Sequence, residues 1–284
     1  MKTSALLVAA SLLIVTTLTA APREYGLQLW SVRDAAKADL PGTLDKVKSW
    51  GIRTVETAGS GTLTIEEYKK LLDERGLKAP SMHAGGDRLN KEMDKVLHEA
   101  KVLGVKYIVC PWYPHEGTFD AAKGAKAAED FNRWGRQIKD AGFQFAYHPH
   151  GYEFLPTGGA GDERVFDLIV KAVDPKLVKF QLDVFWAYRA GVDPIALLKK
   201  HPGQWVSLHL KDLRKGALRA PSPGVSPSSA PPTDKVIVGE GEIDWPTLLK
   251  EADKQGVALG FIEDESLAPV DNIPRSLKYL ESIR

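Results

Sequence analysis

The chain has 284 residues, of which 43% are hydrophobic and 26% are charged, a composition ordinary for a globular protein. This length suits one large domain or two small ones. The formal net charge of +1 gives no support for a polyanionic partner, because nucleic-acid-binding proteins usually carry a basic patch or stripe. Cys110 is the only cysteine, so an intramolecular disulfide is impossible.

The first 20 residues predict a secretory signal peptide that is removed after Ala20. Lys2 supplies the positive charge, residues 5–18 are mostly apolar, and Ala20 and Ala21 form a small-residue cleavage site. The alternative is a membrane anchor, but the apolar run is shorter than the roughly 20 residues that a spanning helix needs. We therefore expect export to the periplasm or the cell exterior, with no membrane contact after cleavage.

From Tyr25 onward one unit recurs, an amphipathic helix that ends near a glycine and is followed by a short apolar strand. LDKVKSWGIRTVETA and WGRQIKDAGFQFAYHPH are two examples. The apolar residues before the glycine have helical spacing, and the glycine suits the left-handed position that ends a helix. These glycines are Gly51, Gly76, Gly104, Gly142 and Gly256.

The alternation of helices and strands predicts eight parallel strands and hence a single (β/α)₈ TIM barrel over residues 21–284. The competing fold is an open doubly wound sheet, which normally has a glycine-rich phosphate loop after its first strand. Here the first strand runs into LQLWSVRDAAK, which contains no such loop. The predicted strands are Gly26–Ser31, Arg53–Ala58, Lys78–His83, Tyr107–Pro111, Gln144–His150, Val178–Asp183, Trp205–Lys211 and Leu259–Glu265.

Residues 213–235, LRKGALRAPSPGVSPSSAPPTDK, interrupt the repeat. The segment is rich in proline, serine and alanine and is long for a barrel loop, which predicts an irregular insertion. It follows the seventh strand and should therefore lie at the C-terminal mouth of the barrel. It is either a tolerated surface insertion or a functional element, meaning a lid or a contact to a partner subunit.

The predicted strands end in acids and imidazoles, at the barrel end where TIM barrels carry their catalytic groups. Such a ring of buried polar groups is costly unless a cation lies among them. Imidazole and carboxylate without thiolate suit Mn²⁺, Co²⁺, Zn²⁺ or Fe²⁺. We predict as ligands one residue from each of strands five to eight. These are His148, Asp183, His209 and Glu263. The alternative is that each is a strand-end residue satisfied by hydrogen bonds.

Six short segments of the chain match known motifs in the same order. They are LQLWSVRD, YHPHGYEF, QLDVFWAYRAGVDP, SLHLKD, GEGEIDW and GFIEDE, and they extend from about Tyr25 to the C-terminus. In these segments the chain resembles the sugar phosphate isomerase/epimerase family, the xylose isomerase-like TIM barrels. The family includes epimerases, isomerases, inosose dehydratases and apurinic endonucleases, so the resemblance is more specific for fold and metal site than for reaction.

The resemblance implies one divalent ion held at the ends of strands five to eight. Mn²⁺ is the expected ion, with Co²⁺, Zn²⁺, Mg²⁺ or Fe²⁺ as alternatives. Asp183, His209 and Glu263 match family ligands. The family's epimerases commonly use a glutamate on the fifth strand, where this chain has His148, and His150 or Glu153 are possible substitutes.

A second departure from the epimerases is Trp186, which stands where they carry a histidine, three residues after the aspartate. With the YHxH motif and the signal peptide, this tryptophan makes the chain more similar to exported members thought to process keto-glycosides. Export also argues against phosphorylated sugars and against the endonuclease branch.

The chemistry expected of such a site is proton abstraction next to a carbonyl. A divalent ion that chelates a carbonyl and its neighbouring hydroxyl acidifies the C–H between them. His150 or Glu153 is the candidate base, with Glu263 close to the transferred proton. Reprotonation gives a sugar isomerase or epimerase, the primary prediction. Loss of a β-substituent gives a lyase or dehydratase acting on 3-keto-glycosides or inosose-like compounds, and a non-catalytic periplasmic sugar-binding protein is a third possibility.

Further candidates lie at other strand ends. Lys211 either stabilises developing negative charge or pairs with Asp212 or Glu240. Tryptophans near strand ends either stack on a sugar or belong to ordinary packing. The predicted substrate-binding residues are Glu56, His83, Trp30, Trp112 and Trp186.

Overall fold

The computed structural model describes residues 23–158, 162–222 and 224–283. Eight parallel strands close into a barrel with helices between consecutive strands, which confirms the predicted TIM barrel. The predicted signal peptide lies outside the described residues. Within the described ranges, no helix combines the length and the apolar character that crossing a membrane requires.

The barrel strands follow one another around the barrel in chain order, and the last pairs with the first. They are β1 (Glu24–Gln28), β2 (Thr54–Thr57), β3 (Lys78–His83), β4 (Tyr107–Cys110), β5 (Gln144–Tyr147), β6 (Val178–Asp183), β7 (Trp205–Leu210) and β10 (Leu259–Ile262). Between the last two, β8 (Asp212–Leu213) and β9 (Lys235–Val236) form a separate antiparallel ribbon.

The α-helices cover the outside of the barrel and part of its mouth. They are α1 (Arg33–Ala38), α2 (Leu40–Ser49), α3 (Ile65–Glu74), α4 (Gly86–Lys91), α5 (Met93–Leu103), α6 (Ala121–Asp140), α7 (Val165–Ala172), α8 (Val184–Arg189), α9 (Pro194–Lys200), α10 (Trp245–Lys254) and α11 (Pro269–Ser282). Short 3₁₀ helices span Leu29–Val32, Tyr152–Phe154 and Pro232–Asp234.

The five glycines predicted to end helices all have positive φ angles, between 65° and 92°. Gly104 shows why a glycine is used. Its φ of 73° and ψ of 32° are left-handed, and its N–H still donates to the Ala100 carbonyl at 3.0 Å. The residue therefore closes α5 and redirects the chain toward β4 at low steric cost.

The predicted strand boundaries need correction at the carboxyl ends. The first strand stops at Gln28, because the Gln28 side chain accepts the Trp30 N–H and starts a 3₁₀ turn. The fifth strand stops at Tyr147, the last residue to pair with both neighbouring strands. His148 and His150, predicted to be in this strand, therefore lie in the loop beyond the barrel rim.

The insertion at residues 213–235 packs onto the barrel mouth. Arg189 of α8 is 5% exposed and donates to the carbonyls of Leu218 (2.7 Å) and Ser229 (3.2 Å) and to the Asp234 carboxylate (3.0 Å). A Cβ atom added at Gly151 would lie only 2.3 Å from the Pro227 carbonyl oxygen, so the insertion approaches the backbone closely there. The described part of the insertion is thus a packed wall of the mouth. Its contact with a partner subunit stays a prediction.

We predict that Arg189→Met destabilises the protein more than Arg214→Met, although both arginines pair with Asp234. Arg189 is buried, and its loss leaves Asp234 Oδ2 and two carbonyls without a donor, at a cost of about 3 kcal/mol. The Arg214 side chain is 48% exposed, so its loss should cost about 0.5 kcal/mol. Urea unfolding measures both values, and equal losses would show that Arg189 does not anchor the insertion.

Candidate active site

The four predicted metal ligands converge at the C-terminal mouth. His148 Nε2 lies 3.7 Å from Asp183 Oδ2, and His209 Nδ1 lies 3.9 Å from the same oxygen. His209 Nδ1 is also 3.2 Å from Glu263 Oε2. The ligand atoms of Asp183, His209 and Glu263 all lie within 4.8 Å of one another. These separations are close to those of donors that share an ion at about 2.0–2.2 Å.

Two of these donor atoms, His148 Nε2 and Asp183 Oδ2, are buried without a hydrogen-bond partner. The other Asp183 oxygen, Oδ1, accepts the Trp186 N–H at 3.0 Å and caps α8, which directs Oδ2 toward the imidazoles. Leaving such atoms buried and unpaired costs free energy. A divalent cation between them would satisfy both, so the residues present fit the predicted metal.

Glu56 orients one ligand imidazole directly. Its fully buried carboxylate lies 2.6 Å from His209 Nε2. Burial raises the pKa of Glu56, but the His83 and His209 imidazoles outweigh it and bring the pKa well below its usual range. An ionised carboxylate only accepts hydrogen bonds, so His209 Nε2 carries a proton. Its Nδ1 is the atom that faces Asp183 and Glu263, as required of an imidazole ligand with a carboxylate partner.

Glu56 also orients His148 through Gln181. The Gln181 amide nitrogen donates to Glu56 Oε1 at 2.8 Å and to Ser207 Oγ at 2.9 Å. Its Oε1 therefore faces His148 Nδ1, 2.9 Å away, and must accept a proton from it. The other ring nitrogen of His148, Nε2, therefore carries no proton, and its lone pair faces Asp183.

The charges of the site favour a bound cation. Burial raises the pKa of Asp183 to about 6, with Lys211 opposing the rise and Glu263 adding to it. Burial and the neighbouring imidazoles lower the pKa of His148 well below its usual range, so this ring is neutral. Burial lowers the pKa of His209, but Glu263 and Glu56 outweigh it and raise the pKa to about 10. When no ion is bound, the His209 ring is protonated on both nitrogens, and its positive charge replaces that of the metal.

A cavity of about 620 Å³ opens above these donors. Imidazoles, acids, tryptophans and the insertion form its walls. Among the lining residues are His83, His148, His150, Glu263, Glu265, Trp30, Trp112, Trp186, Ser228, Ser229, Ala230 and Lys235. Its size is typical of small-molecule sites, and its mixture of flat aromatic and hydrogen-bonding groups suits a polyhydroxylated ring.

His150 and Glu153, the two candidate bases, have different surroundings. His150 lines the cavity, and its Nδ1 is buried without a hydrogen-bond partner. Burial lowers the pKa of His150 to about 4, so the ring is neutral. The structure does not bring Glu153 into the cavity. Its buried carboxylate bonds to the Tyr147 hydroxyl and accepts the His150 N–H at 3.0 Å, because the chain turns at Gly151 with a φ of 100°.

Lys211 pairs with neither Asp212 nor Glu240. Its ammonium lies 3.1 Å from Glu263 and also contacts Glu265, which is 3.1 Å from Lys235 of the insertion. Asp212 instead accepts backbone N–H groups and the indole N–H of Trp245 at 2.7 Å. The ion cluster of Lys211, Glu263, Glu265 and Lys235 therefore borders the metal-binding residues.

The predicted substrate-binding residues differ in access to the cavity. His83 and the three tryptophans line it, whereas Glu56 lies beneath it. Trp30 and Trp112 are 46% and 42% exposed, and Trp186 is buried with the Lys211 ammonium 5.1 Å from its ring. His83, His148 and His209 also form a possible metal-binding group, but His83 Nε2 is already 3.0 Å from Glu56.

Several residues of the site have roles that the sequence did not predict. Gln28 donates to Glu56 at 2.7 Å, and Gln181 links Glu56 to His148. Glu265 and Lys235 complete the ion cluster. The available signal was strand alternation, because Gln181 is two residues before Asp183 and therefore shares its inward face.

Comparison with known proteins places this site in a family. The family model for xylose isomerase-like TIM barrels matches residues 44–283. The chain belongs to the xylose isomerase-like TIM barrel family. The match covers most of the barrel, including all four predicted ligand positions, and so confirms the resemblance found in the sequence.

Relatives within the xylose isomerase-like family differ in reaction. An inosose dehydratase of Clostridium beijerinckii is 25% identical over 227 residues, which are 75% of this chain and 67% of that protein. A solved sugar phosphate isomerase/epimerase of Parabacteroides distasonis has a TM-score of 0.74 and 24% identity, and the match covers 94% of this chain and 96% of that one. An IolI protein solved with a zinc atom has a TM-score of 0.67 and 14% identity over 92% of this chain and 96% of that one. The two solved structures establish the fold alone.

We predict that His209→Ala and Asp183→Ala lose stoichiometric divalent metal, because each removes a donor from the convergent group. His98→Ala makes the same exchange at a side chain that is 60% exposed on α5 and should retain full occupancy. Elemental analysis after metal loading and desalting measures the stoichiometry. Full metal occupancy in His209→Ala would show that the ligand set is wrong.

Proposed function

We propose that this protein is a divalent-metal-dependent lyase that eliminates a β-substituent from a cyclic polyhydroxy ketone, either an inosose-like ring or a keto-glycoside. The observation that carries the proposal is the position of His150. A neutral imidazole with a buried, unpartnered Nδ1 borders a sugar-sized cavity that two of the four predicted metal ligands, His148 and Glu263, also line. Such a site brings a base and a Lewis-acid position to the same substrate.

His148, Asp183, His209 and Glu263 would hold the ion, and we propose Mn²⁺ as its identity. When bound, the ion would supply Lewis acidity to a carbonyl and an adjacent hydroxyl. Glu56 and Gln181 keep the two imidazole ligands in the required tautomers. Trp112 and Trp186 present flat surfaces against which a sugar ring can lie.

His150 would take the proton from the carbon next to the carbonyl. The C–H electron pair becomes a carbon–carbon double bond, and the C–O bond to the β-substituent breaks. The departing oxygen takes that proton from the His150 imidazolium and leaves as water or an alcohol, which restores neutral His150, so atoms and charge balance without an oxidant or reductant. Lys211, held by Glu263 and Glu265, stabilises negative charge that develops during proton removal. Glu153 acts as a positioning residue that holds the His150 backbone.

The charges of the cavity favour a substrate without phosphate. Two cationic residues that line it are already paired. Arg88 lies 2.8 Å from Glu99, and Lys235 lies 3.1 Å from Glu265. The paired carboxylates offset both positive charges, which weakens the attraction of the cavity for a phosphate. This agrees with the proposed export of the protein, because phosphorylated sugars of central metabolism stay in the cytoplasm.

Elimination is preferred to isomerisation or epimerisation because of the sequence relatives. The 25% identical Clostridium beijerinckii protein is an inosose dehydratase, whereas the likeness to the Parabacteroides distasonis isomerase/epimerase, at 24% identity, supports the fold alone. Trp186 also lacks the proton-transfer capacity of the histidine that the epimerases carry at its position. The same experiment distinguishes elimination, epimerisation and simple binding.

The test is product analysis by NMR in D₂O, with Mn²⁺ and a panel of inososes, keto-sugars and keto-glycosides. We expect an unsaturated ketone together with a released water or alcohol. Recovery of a deuterated epimer without unsaturation would replace the lyase by an epimerase. Tight sugar binding that is indifferent to chelator, with no product, would favour a binding protein.

We predict that His150→Phe lowers kcat/KM about 100-fold or more, because the ring shape remains but the base is lost. His98→Phe makes the same exchange on the exposed face of α5 and should leave kcat/KM unchanged. Metal content, measured in parallel, should be full in both variants. A His150→Phe protein with normal turnover would remove His150 from the reaction, and one without metal would make it a ligand instead.

A further inference from the structure

A second cavity, of about 810 Å³, lies beside the proposed active site. It runs between α1 and α2 on one side and the 58–64 loop and α3 on the other. Its inner wall is formed by apolar side chains. Its charged lining residues are the half-buried Arg33 and the exposed Lys37, Glu67, Lys70 and Glu74. The inner apolar residues include Leu29, Val32, Leu44, Tyr68 and Leu71.

The two cavities meet at one edge. Trp30, Ala58 and Gly59 line both of them. Gly59 has a φ of 105° and no atom within 4 Å of its Cβ position, so no side chain fills the space at this edge. A molecule whose polar ring occupies the catalytic cavity can therefore reach the adjacent apolar cavity across these shared residues.

Trp30 is the fixed element of this junction. The guanidinium of Arg33 lies 4.8 Å from the centre of its ring and also donates to the Trp30 carbonyl at 2.9 Å. Although it is held in this way, the indole is 46% exposed. A large aromatic side chain fixed at the boundary of a polar and an apolar cavity is well placed to stack on an apolar group attached to a sugar.

From this geometry we propose that the substrate is a keto-glycoside with an aromatic or similarly flat apolar aglycone, and that the cavity between α1, α2 and α3 binds the aglycone. This inference rests on the proposed elimination and selects a glycoside over an inosose. The C–O bond that breaks would then be the bond between the sugar and its aglycone. The aglycone oxygen takes a proton and leaves as a phenol or alcohol, and the sugar keeps the new double bond.

The experiment compares a phenyl keto-glycoside with its methyl analogue. We expect wild-type kcat/KM to be at least about tenfold higher for the phenyl compound, because only its ring reaches the apolar cavity. Ala36→Trp fills this cavity from α1 and should reduce the preference to within about twofold while leaving the methyl compound unaffected. Ala38→Trp places the same side chain at an exposed position of α1 and should keep the wild-type preference.

Binding is measured separately by saturation-transfer NMR on the aromatic protons of the phenyl compound. Transfer in the wild type that disappears in Ala36→Trp supports the aglycone site even if neither glycoside is turned over, an outcome that would disprove only the proposed elimination. Equal kcat/KM for both glycosides in the wild type, or aromatic transfer unchanged by Ala36→Trp, would overturn the aglycone site.

Discussion

The site depends on one buried carboxylate. Glu56 accepts hydrogen bonds only, so every group that bonds to it must direct a proton toward its carboxylate. This constraint fixes the tautomer of His209 directly and that of His148 through the Gln181 amide. The second nitrogen of each ring, His148 Nε2 and His209 Nδ1, is therefore the one that faces the carboxylates of Asp183 and Glu263. Glu56 is not exposed to the cavity, yet it determines what the cavity floor can bind.

The barrel makes this arrangement possible because adjacent parallel strands end at one rim. Asp183 and His209 are paired residues on β6 and β7, and Phe261 on β10 pairs with His209 two residues before Glu263. The loops after the strands then differentiate the site. Gly151 turns the chain so that His150 faces the cavity and Glu153 faces inward, while Arg189 holds the insertion as a wall. The metal ligands, the base and the wall that bounds the cavity thus come from separate elements of the chain.

The alternation of helices and strands in the sequence was enough to predict the barrel, and with it the position of Asp183, His209 and Glu263 at one end of it. It was not enough for Glu56, whose bonds to Gln181 and His209 join residues 125 and 153 positions apart. No local pattern reveals such pairs. Glu153 was predicted beside His150 as a base, but a positive φ at Gly151 rotates it away from the cavity. The aromatic residues were predicted as substrate contacts, although only the structure shows that Trp30 borders two cavities.

The most direct test of this account is the metal affinity of Glu56→Gln, measured by titration against a competing chelator. An amide can donate as well as accept, so the ligand imidazoles lose their imposed tautomers, and we expect binding to weaken by about 10–100-fold. Ser81→Ala removes another hydrogen bond to Glu56 that does not lead to a ligand, and it should change affinity by less than about threefold. Wild-type metal affinity in a folded Glu56→Gln protein would contradict the central role of Glu56.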